Sequence, residues 1–286
     1  MPEGDTVFRV AAGLRPHLVG QPVLRARAAG GARVELIVGA TIEAIETHGK
    51  NLLIHLSNGL SVRTHLRMTG TWHRYRPGER WLRPASRAAL VLEVEGSVAV
   101  CFDAPIVELF DTRSRALHPI LSRLGPDLLA PDFDPADAMA RLREGSAPAT
   151  AIGEALLDQR VVAGVGNVYR SEVLFIERVD PFALASALDG ATLGRIVATA
   201  RRLLLLNARS SGARATTPRA GEGADSRLAV YRRSGRPCRR CGTPIRSASL
   251  GADHPRTVWW CPRCQASTAS DIVTDDRHGR AGPGSG

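Results

Sequence analysis

The chain has 286 residues, 44% of them hydrophobic and 23% charged, with a net charge of +10 and a pI near 10.5. That length allows one large domain or two modest ones; no apolar run approaches the roughly 18 residues of a membrane span, and Met1-Pro2-Glu3-Gly4-Asp5 is no secretory signal, so a cytoplasmic protein is expected. The basic balance points to a polyanion, nucleic acid first, because each neutralised phosphate releases condensed counterions; a basic surface kept for solubility is the alternative.

From Asp5 onward, Val7, Val10, Ala11, Leu14 and Leu18 recur at helical spacing and predict a helix that anchors the N-terminus. Short β-rich segments follow at 34–38, 41–47, 52–57, 60–66, 89–95, 98–102 and 106–110. Many strands without helical crossovers predict a sandwich or barrel. Cys101, inside one of them, reads as a buried strand residue. Asp134-Pro135-Ala136-Asp137 then opens a helical domain, with proline in the first turn. Further helices are predicted over 151–157, 167–177 and 190–207, the first two separated by an apolar turn whose Gly164 and Gly166 permit close approach of backbone to a ligand. Residues 208–226, rich in Ser, Gly, Ala, Thr and Arg, read as a mobile loop, and 277–286 as a disordered tail.

Four of the five cysteines form Cys238-x-x-Cys241 and Cys261-x-x-Cys264, nineteen residues apart. Two such turns present four thiolates to one tetrahedral ion, so one structural Zn2+ is expected, with no open position for a reactive water. The basic residues are also unequal: 37 are arginine and one, Lys50, is lysine. Arginine cannot serve as a nucleophilic or proton-transferring amine at neutral pH, so a lone lysine marks either chance or a place where an amine is required.

Three stretches, in order, resemble the formamidopyrimidine-DNA glycosylase and endonuclease VIII family of base-excision repair enzymes. They are Pro2-Glu3-Gly4-Asp5-Thr6-Val7; Leu156-Leu157-Asp158-Gln159-Arg160 with Gly164-Val165-Gly166-Asn167-Val168-Tyr169-Arg170-Ser171-Glu172; and Val230-Tyr231-Arg232-Arg233 through Cys238 to Arg256 and Cys264-Gln265. Shorter matches at His48-Gly49-Lys50-Asn51 and Leu124-Gly125-Pro126-Asp127 fall between them. The resemblance implies a two-domain α+β fold, with an N-terminal β-sandwich flanked by helices and a C-terminal helix-two-turns-helix domain carrying a β-hairpin zinc finger. DNA would lie in the cleft between them. The corresponding division is a catalytic domain over 1–113, a linker over 114–134, a helical domain over 135–227 and a zinc finger over 228–276.

What the resemblance implies chemically is a bifunctional glycosylase and abasic-site lyase that acts as a monomer on damaged DNA in a bacterial cytoplasm. Removal of Met1 leaves Pro2 as a secondary amine with a pKa of roughly 8, able to attack the sugar C1′, expel the base and form an iminium. That electron sink then supports β- and δ-elimination of the flanking phosphates. By the same resemblance Glu3 shuttles protons, Lys50 approaches the phosphate and sugar at the damage, and Arg256 assists the departing phosphate. Asn167, Arg123 and Arg67 would contact DNA, with Met68 filling the gap left by a flipped nucleotide. The start Pro2-Glu3-Gly4-Asp5 looks more like endonuclease VIII, and Phe110-Asp111-Thr112-Arg113 lacks the purine branch's paired arginines, so oxidised pyrimidines are the expected lesions. Met68-Thr69-Gly70 resembles the purine branch instead, which keeps a purine-specific formamidopyrimidine glycosylase as an alternative. A non-catalytic damaged-DNA-binding protein of the same fold is another; it would leave Pro2, Glu3 and Lys50 idle.

Overall fold

The computed structural model describes residues 2–145, 147, 149–210, 212–217, 227–251 and 255–266. The tail at 277–286, the end of the zinc-finger segment and most of the predicted loop at 208–226 lie outside them. Helix α1 spans Gly4–Leu18 and buries Val7, Ala11, Leu14 and Leu18, the stripe read from spacing. It packs on a sandwich of two four-stranded antiparallel sheets. One has the order β1-β6-β7-β5, from Arg25–Ala28, Ala88–Val94, Ser97–Phe102 and Thr71–Tyr75; the other is β2-β3-β4-β8, from Ile42–His48, Asn51–Leu56, Leu60–His65 and Ile106–Asp111. Ile42, Leu52, Ile54, Val62, Leu90, Leu92 and Cys101 meet between them in one core.

One sequence expectation fails here, and two strands have no counterpart among the predicted segments, each for a physical reason. Residues 34–38 form a short 3-10 helix, Val34–Ile37, because a three-residue turn buries Val34 and Ile37 together and leaves Leu36 outside. Strands β1 and β5 escape the hydrophobic pattern because both are edge strands: β1 alternates arginine with alanine, and β5 buries only Trp72 and Tyr75.

The second domain holds α2 (Pro135–Glu144), α3 (Ile152–Ala155), α4 (Asn167–Ile176) and α5 (Gly190–Arg209). Asp134 caps α2 through the Ala136 N–H, as its sequence suggests. Tyr169, Val173, Ile196 and Leu204 belong to its separate core. Helix α5 runs two residues past the predicted end, and residues 212–217 are tied back to the body: the Ala215 N–H donates to Asn207 Oδ1 at 2.9 Å. A last hairpin, β9 (Arg246–Leu250) against β10 (Arg256–Trp260), joins the four cysteines. Among the described residues no helix is long and apolar enough to cross a membrane.

Candidate active site

Between the two domains lies a cavity of about 450 Å³ whose wall includes Pro2, Lys50, Arg67, Met68 and Arg256. Each reaches it from a different element. Pro2 precedes α1, and Lys50 sits at the β2–β3 turn, where Gly49 adopts φ +59°. The Gly49 N–H donates to Asp127 Oδ2 at 2.8 Å while the Leu129 N–H donates to Oδ1, so a buried carboxylate of the second domain holds the turn that presents Lys50. Burial raises the Asp127 pKa, against these two hydrogen bonds. Arg67 and Met68 occupy a tight turn closed by Gly70 N–H to Leu66 O at 2.9 Å; a side chain at Gly70 would meet Leu66 O at 2.6 Å. Arg67 itself is left-handed, φ +48°, a conformation costly for a residue with a Cβ and common where a side chain must be aimed.

Glu3 is fully buried, and its side chain leaves the N-terminus of its own helix α1 uncapped. It caps α4 instead: the N–H groups of Gly166, Val168 and Tyr169 donate to its carboxylate at 3.0, 2.9 and 3.4 Å. Gly166 is required, since a Cβ there would lie 2.3 Å from the Glu3 carboxyl carbon. The apolar turn therefore receives a carboxylate of the protein itself, and this fastens residue 3 to the helix-two-turns-helix unit.

Asp5, also fully buried, pairs with Arg214 from the segment after α5. Arg214 also donates to the Thr6 hydroxyl at 2.9 Å, lies 3.8 Å from Glu3 and stacks over Tyr169 at 5.1 Å. Burial works against its charge, yet Asp5 and Glu3 hold the guanidinium protonated. Removing this cation strands two buried acids, so Arg214→Met is expected to lower stability by about 3–5 kcal/mol in denaturant titration. The double variant Asp5→Asn with Arg214→Met should recover part of that loss, and a loss under 1 kcal/mol, the ~0–1 kcal/mol of an exposed ion pair, would contradict the assignment.

Lys50 is also strongly shifted: burial lowers its pKa from 10.5 to about 8, opposed by Glu3 and assisted by Arg214 and Arg256. Between those two values the unfolded chain binds the proton that the folded chain has lost, so stability rises with pH over that interval. Lys50→Met should therefore stabilise the protein at pH 7 and lose that advantage by pH 10.5; an advantage independent of pH would refute the shift. His65, also on the cavity wall, is held neutral, its pKa lowered to about 4 by burial and by Arg63, Lys50 and Arg67. Its Nδ1 accepts the Arg67 N–H at 3.1 Å, which leaves the proton on Nε2.

Asn167 and Arg123 are not on this wall. Asn167, at the start of α4, donates to Thr257 O at 2.9 Å and accepts from the buried Arg170, whose guanidinium also reaches Arg256 O and Thr257 O at 3.2 and 2.8 Å. Arg170 thereby fixes the strand that carries Arg256. Arg123 is exposed beside Leu124, which does line the cavity. Glu172, buried, accepts the N–H groups of Ala229, Val230 and Tyr231 at 2.7–2.8 Å and so docks the finger onto α4. Arg170, Glu172 and Asp127 stand inside the matched stretches and Arg214 outside them, but the stretches do not mark these roles, because each residue acts on one distant in sequence.

The four cysteine sulfurs lie within 4.8 Å of one another, with Cys238 and Cys264 at 3.9 Å and Cys241 and Cys261 at 3.4 Å. A tetrahedral site with metal–sulfur bonds of about 2.3 Å has sulfur–sulfur edges of about 3.8 Å, so the thiolate set fits a metal ion. Backbone N–H groups of Arg240 and Cys264 point at two of the sulfurs, at 3.4 Å each.

Pro2, Lys50, Arg67 and Arg256 thus face one interdomain cavity of a two-domain protein that also carries a four-cysteine hairpin. Residues 1–113 match the formamidopyrimidine-DNA glycosylase N-terminal domain, 124–217 its H2TH domain, and 235–266 the zinc finger found in FPG and IleRS. Endonuclease 8 2 of Mycobacterium bovis is 41% identical over 273 residues, covering 93% of this chain and 100% of that protein. A DNA-(apurinic or apyrimidinic site) lyase of Mycolicibacterium smegmatis is 40% identical over 270 residues, covering 94% and 100%. The MutM (Fpg) protein of Thermus thermophilus shares the fold with a TM-score of 0.76 at 29% identity, over 92% of this chain and 98% of that one. The chain belongs to the formamidopyrimidine-DNA glycosylase and endonuclease VIII family.

Proposed function

We propose that the protein is a bifunctional DNA glycosylase and abasic-site lyase of base-excision repair, acting on oxidised pyrimidines. The observation that carries this reading is the convergence of Pro2, Lys50 and Arg256 on one cavity, with Glu3 anchored beneath it. Once Met1 is removed, the Pro2 nitrogen attacks C1′ of the damaged nucleotide and the base leaves with the glycosidic bond electrons. The N-glycoside so formed loses its amine proton and opens, the C1′–O4′ bond breaking as O4′ takes up a proton, to an iminium that acidifies C2′; loss of a C2′ proton then expels the 3′-phosphate. Glu3 moves protons to and from the opened sugar. The Lys50 ammonium holds phosphate and sugar in place, and Arg256 offsets the charge on the departing phosphate. Asn167 and Arg123 contact backbone phosphate outside the cavity, while Arg67 and Met68 enter the duplex at the extruded nucleotide.

One structural zinc ion, held by Cys238, Cys241, Cys261 and Cys264, would fix the hairpin that carries Arg256. With all four positions filled by thiolate it supplies no reaction chemistry. The relatives named endonuclease 8, among them one of Escherichia coli at 31% identity, support the endonuclease VIII branch, for which oxidised pyrimidines are the expected lesions. A panel of duplexes with defined oxidised pyrimidines, oxidised purines or an abasic site tests the assignment. Base release and strand cleavage should be faster for the pyrimidines, and faster excision of the purine lesions would transfer the protein to the other branch.

A further inference from the structure

The cavity that should receive a polyanion has an acid in its wall. Glu108, on β8, lies directly opposite Arg63 of β4 and forms an ion pair with it; the Arg63 side chain is 3% exposed and that of Glu108 is 44% exposed. Arg63 also donates through Nε to Asn51 Oδ1 at 2.8 Å, which fixes its plane. From the other side, His118 Nε2 lies 3.3 Å from the same Glu108 oxygen, Oε2. His118 Nδ1 accepts the N–H groups of Ile120 and Leu121 at 3.2 Å each, so its proton sits on Nε2 and faces the carboxylate. Phe110 packs edge-on against the imidazole at 5.1 Å. One oxygen of Glu108 is therefore clamped from two sides, and its half-exposed side chain lines the cavity.

We propose that Glu108 is a specificity-determining residue whose Oε1 accepts a hydrogen bond from an N–H donor on the edge of a nucleobase; the proposal rests on the DNA-repair reading above. Phosphate oxygens are acceptors and anionic, so a carboxylate repels them and adds nothing to backbone binding. Bases differ in carrying donors: the amino groups of adenine, cytosine and guanine and the ring imide of thymine and uracil derivatives. A carboxylate on a DNA-facing wall is compatible with binding only where a base edge meets it. Its double clamp sets the orientation in advance, which a base-reading acceptor needs and a counterion for Arg63 does not. Arg63 and His118 are then positioning residues acting through Glu108.

The donor can belong to the extruded damaged base or to the base opposite it, and two substrate sets separate these. In the first, one oxidised pyrimidine is held constant and the opposite base is varied between adenine and unsubstituted purine, and between guanine and hypoxanthine; each pair differs by one amino group. In the second, the opposite base is constant and the lesion is 5-hydroxycytosine or 5-hydroxyuracil, which differ in the group at C4. Single-turnover excision by the full chain is expected to discriminate about tenfold within one set. Glu108→Gln, which keeps an oxygen for Arg63 but can turn an N–H donor outward, should abolish that discrimination. Glu108→Asp, which retains the charge while withdrawing it by one methylene, should weaken it. The set that responds identifies the base being read. Equal rates within every pair, or discrimination that survives Glu108→Gln unchanged, would overturn the proposal. Wild-type protein that cleaves none of these duplexes, nor abasic DNA, would instead overturn the function on which it rests.

Discussion

Borohydride should trap the protein covalently on DNA carrying an abasic site, through the Pro2 nitrogen. Hydride adds to the iminium carbon and converts a reversible adduct into a stable tertiary amine. Two amines in the chain can form such an adduct, the terminal one and Lys50, since every other basic side chain of the Lys/Arg type is an arginine. Proton affinity does not choose between them. Burial brings Lys50 from 10.5 to about 8, the ordinary range of a terminal amine. Connectivity does choose. Adding one residue before Pro2 turns its nitrogen into an amide with no nucleophilic lone pair, while leaving Lys50 and the fold around Asp127 in place. The extended protein should form no adduct, and Lys50→Arg should still form one, more slowly. The opposite pair of results would make Lys50 the nucleophile.

How far the sequence discloses this site depends on how local each feature is. Pro2, Lys50, Arg256 and the four cysteines stand in short motifs, and all four cysteine sulfurs do meet. The sandwich strands with β-branched or leucine alternation were legible, whereas the edge strands β1 and β5 were not, because an edge needs little apolar surface. The supporting contacts were hidden for another reason. Asp127 acts on Gly49 across 78 residues, Arg214 on Asp5 across 209, and Glu3 on Val168 across 165. Nothing in the local composition around Arg214 distinguishes it from the many other arginines; only the fold shows that it neutralises the buried acids Asp5 and Glu3. Thr6 joins the same arrangement, its hydroxyl accepting from Arg214 while Asp5 supplies the carboxylate. Glu108 was invisible as a site residue because an acid in a basic cleft contradicts the overall charge that first suggested DNA.

Removing the metal should abolish strand cleavage while leaving most of the protein folded. The small core around the hairpin consists of Phe175, Ala229, Val230 and Ile245 together with Cys238 and Cys261, so two of its members are themselves proposed ligands. Without a cation, sulfurs packed within 4.8 Å of one another lose their common partner and, as thiolates, repel. The hairpin would then lose its base. Its remaining attachments are the Glu172 contacts with residues 229–231, the Arg170 contacts with β10, and Gln265, which bonds Cys261 N–H and Val179 O at 2.9 and 2.8 Å. Two of these attachments bond to the region whose shape the metal sets, so they cannot hold it alone. Arg256 would leave the cavity with β10, and loss of one preorganised charge at a departing phosphate costs about 100-fold or more in rate. The sandwich and helical cores are separate clusters and should keep their thermal transition. Chelation or Cys261→Ser is therefore expected to give about one zinc lost per chain, a fall in strand cleavage of at least ~100-fold, and a main unfolding transition that persists. Full cleavage by metal-free protein would remove the finger from the mechanism, and collapse of the whole chain would show that the metal supports the second domain as well as the hairpin.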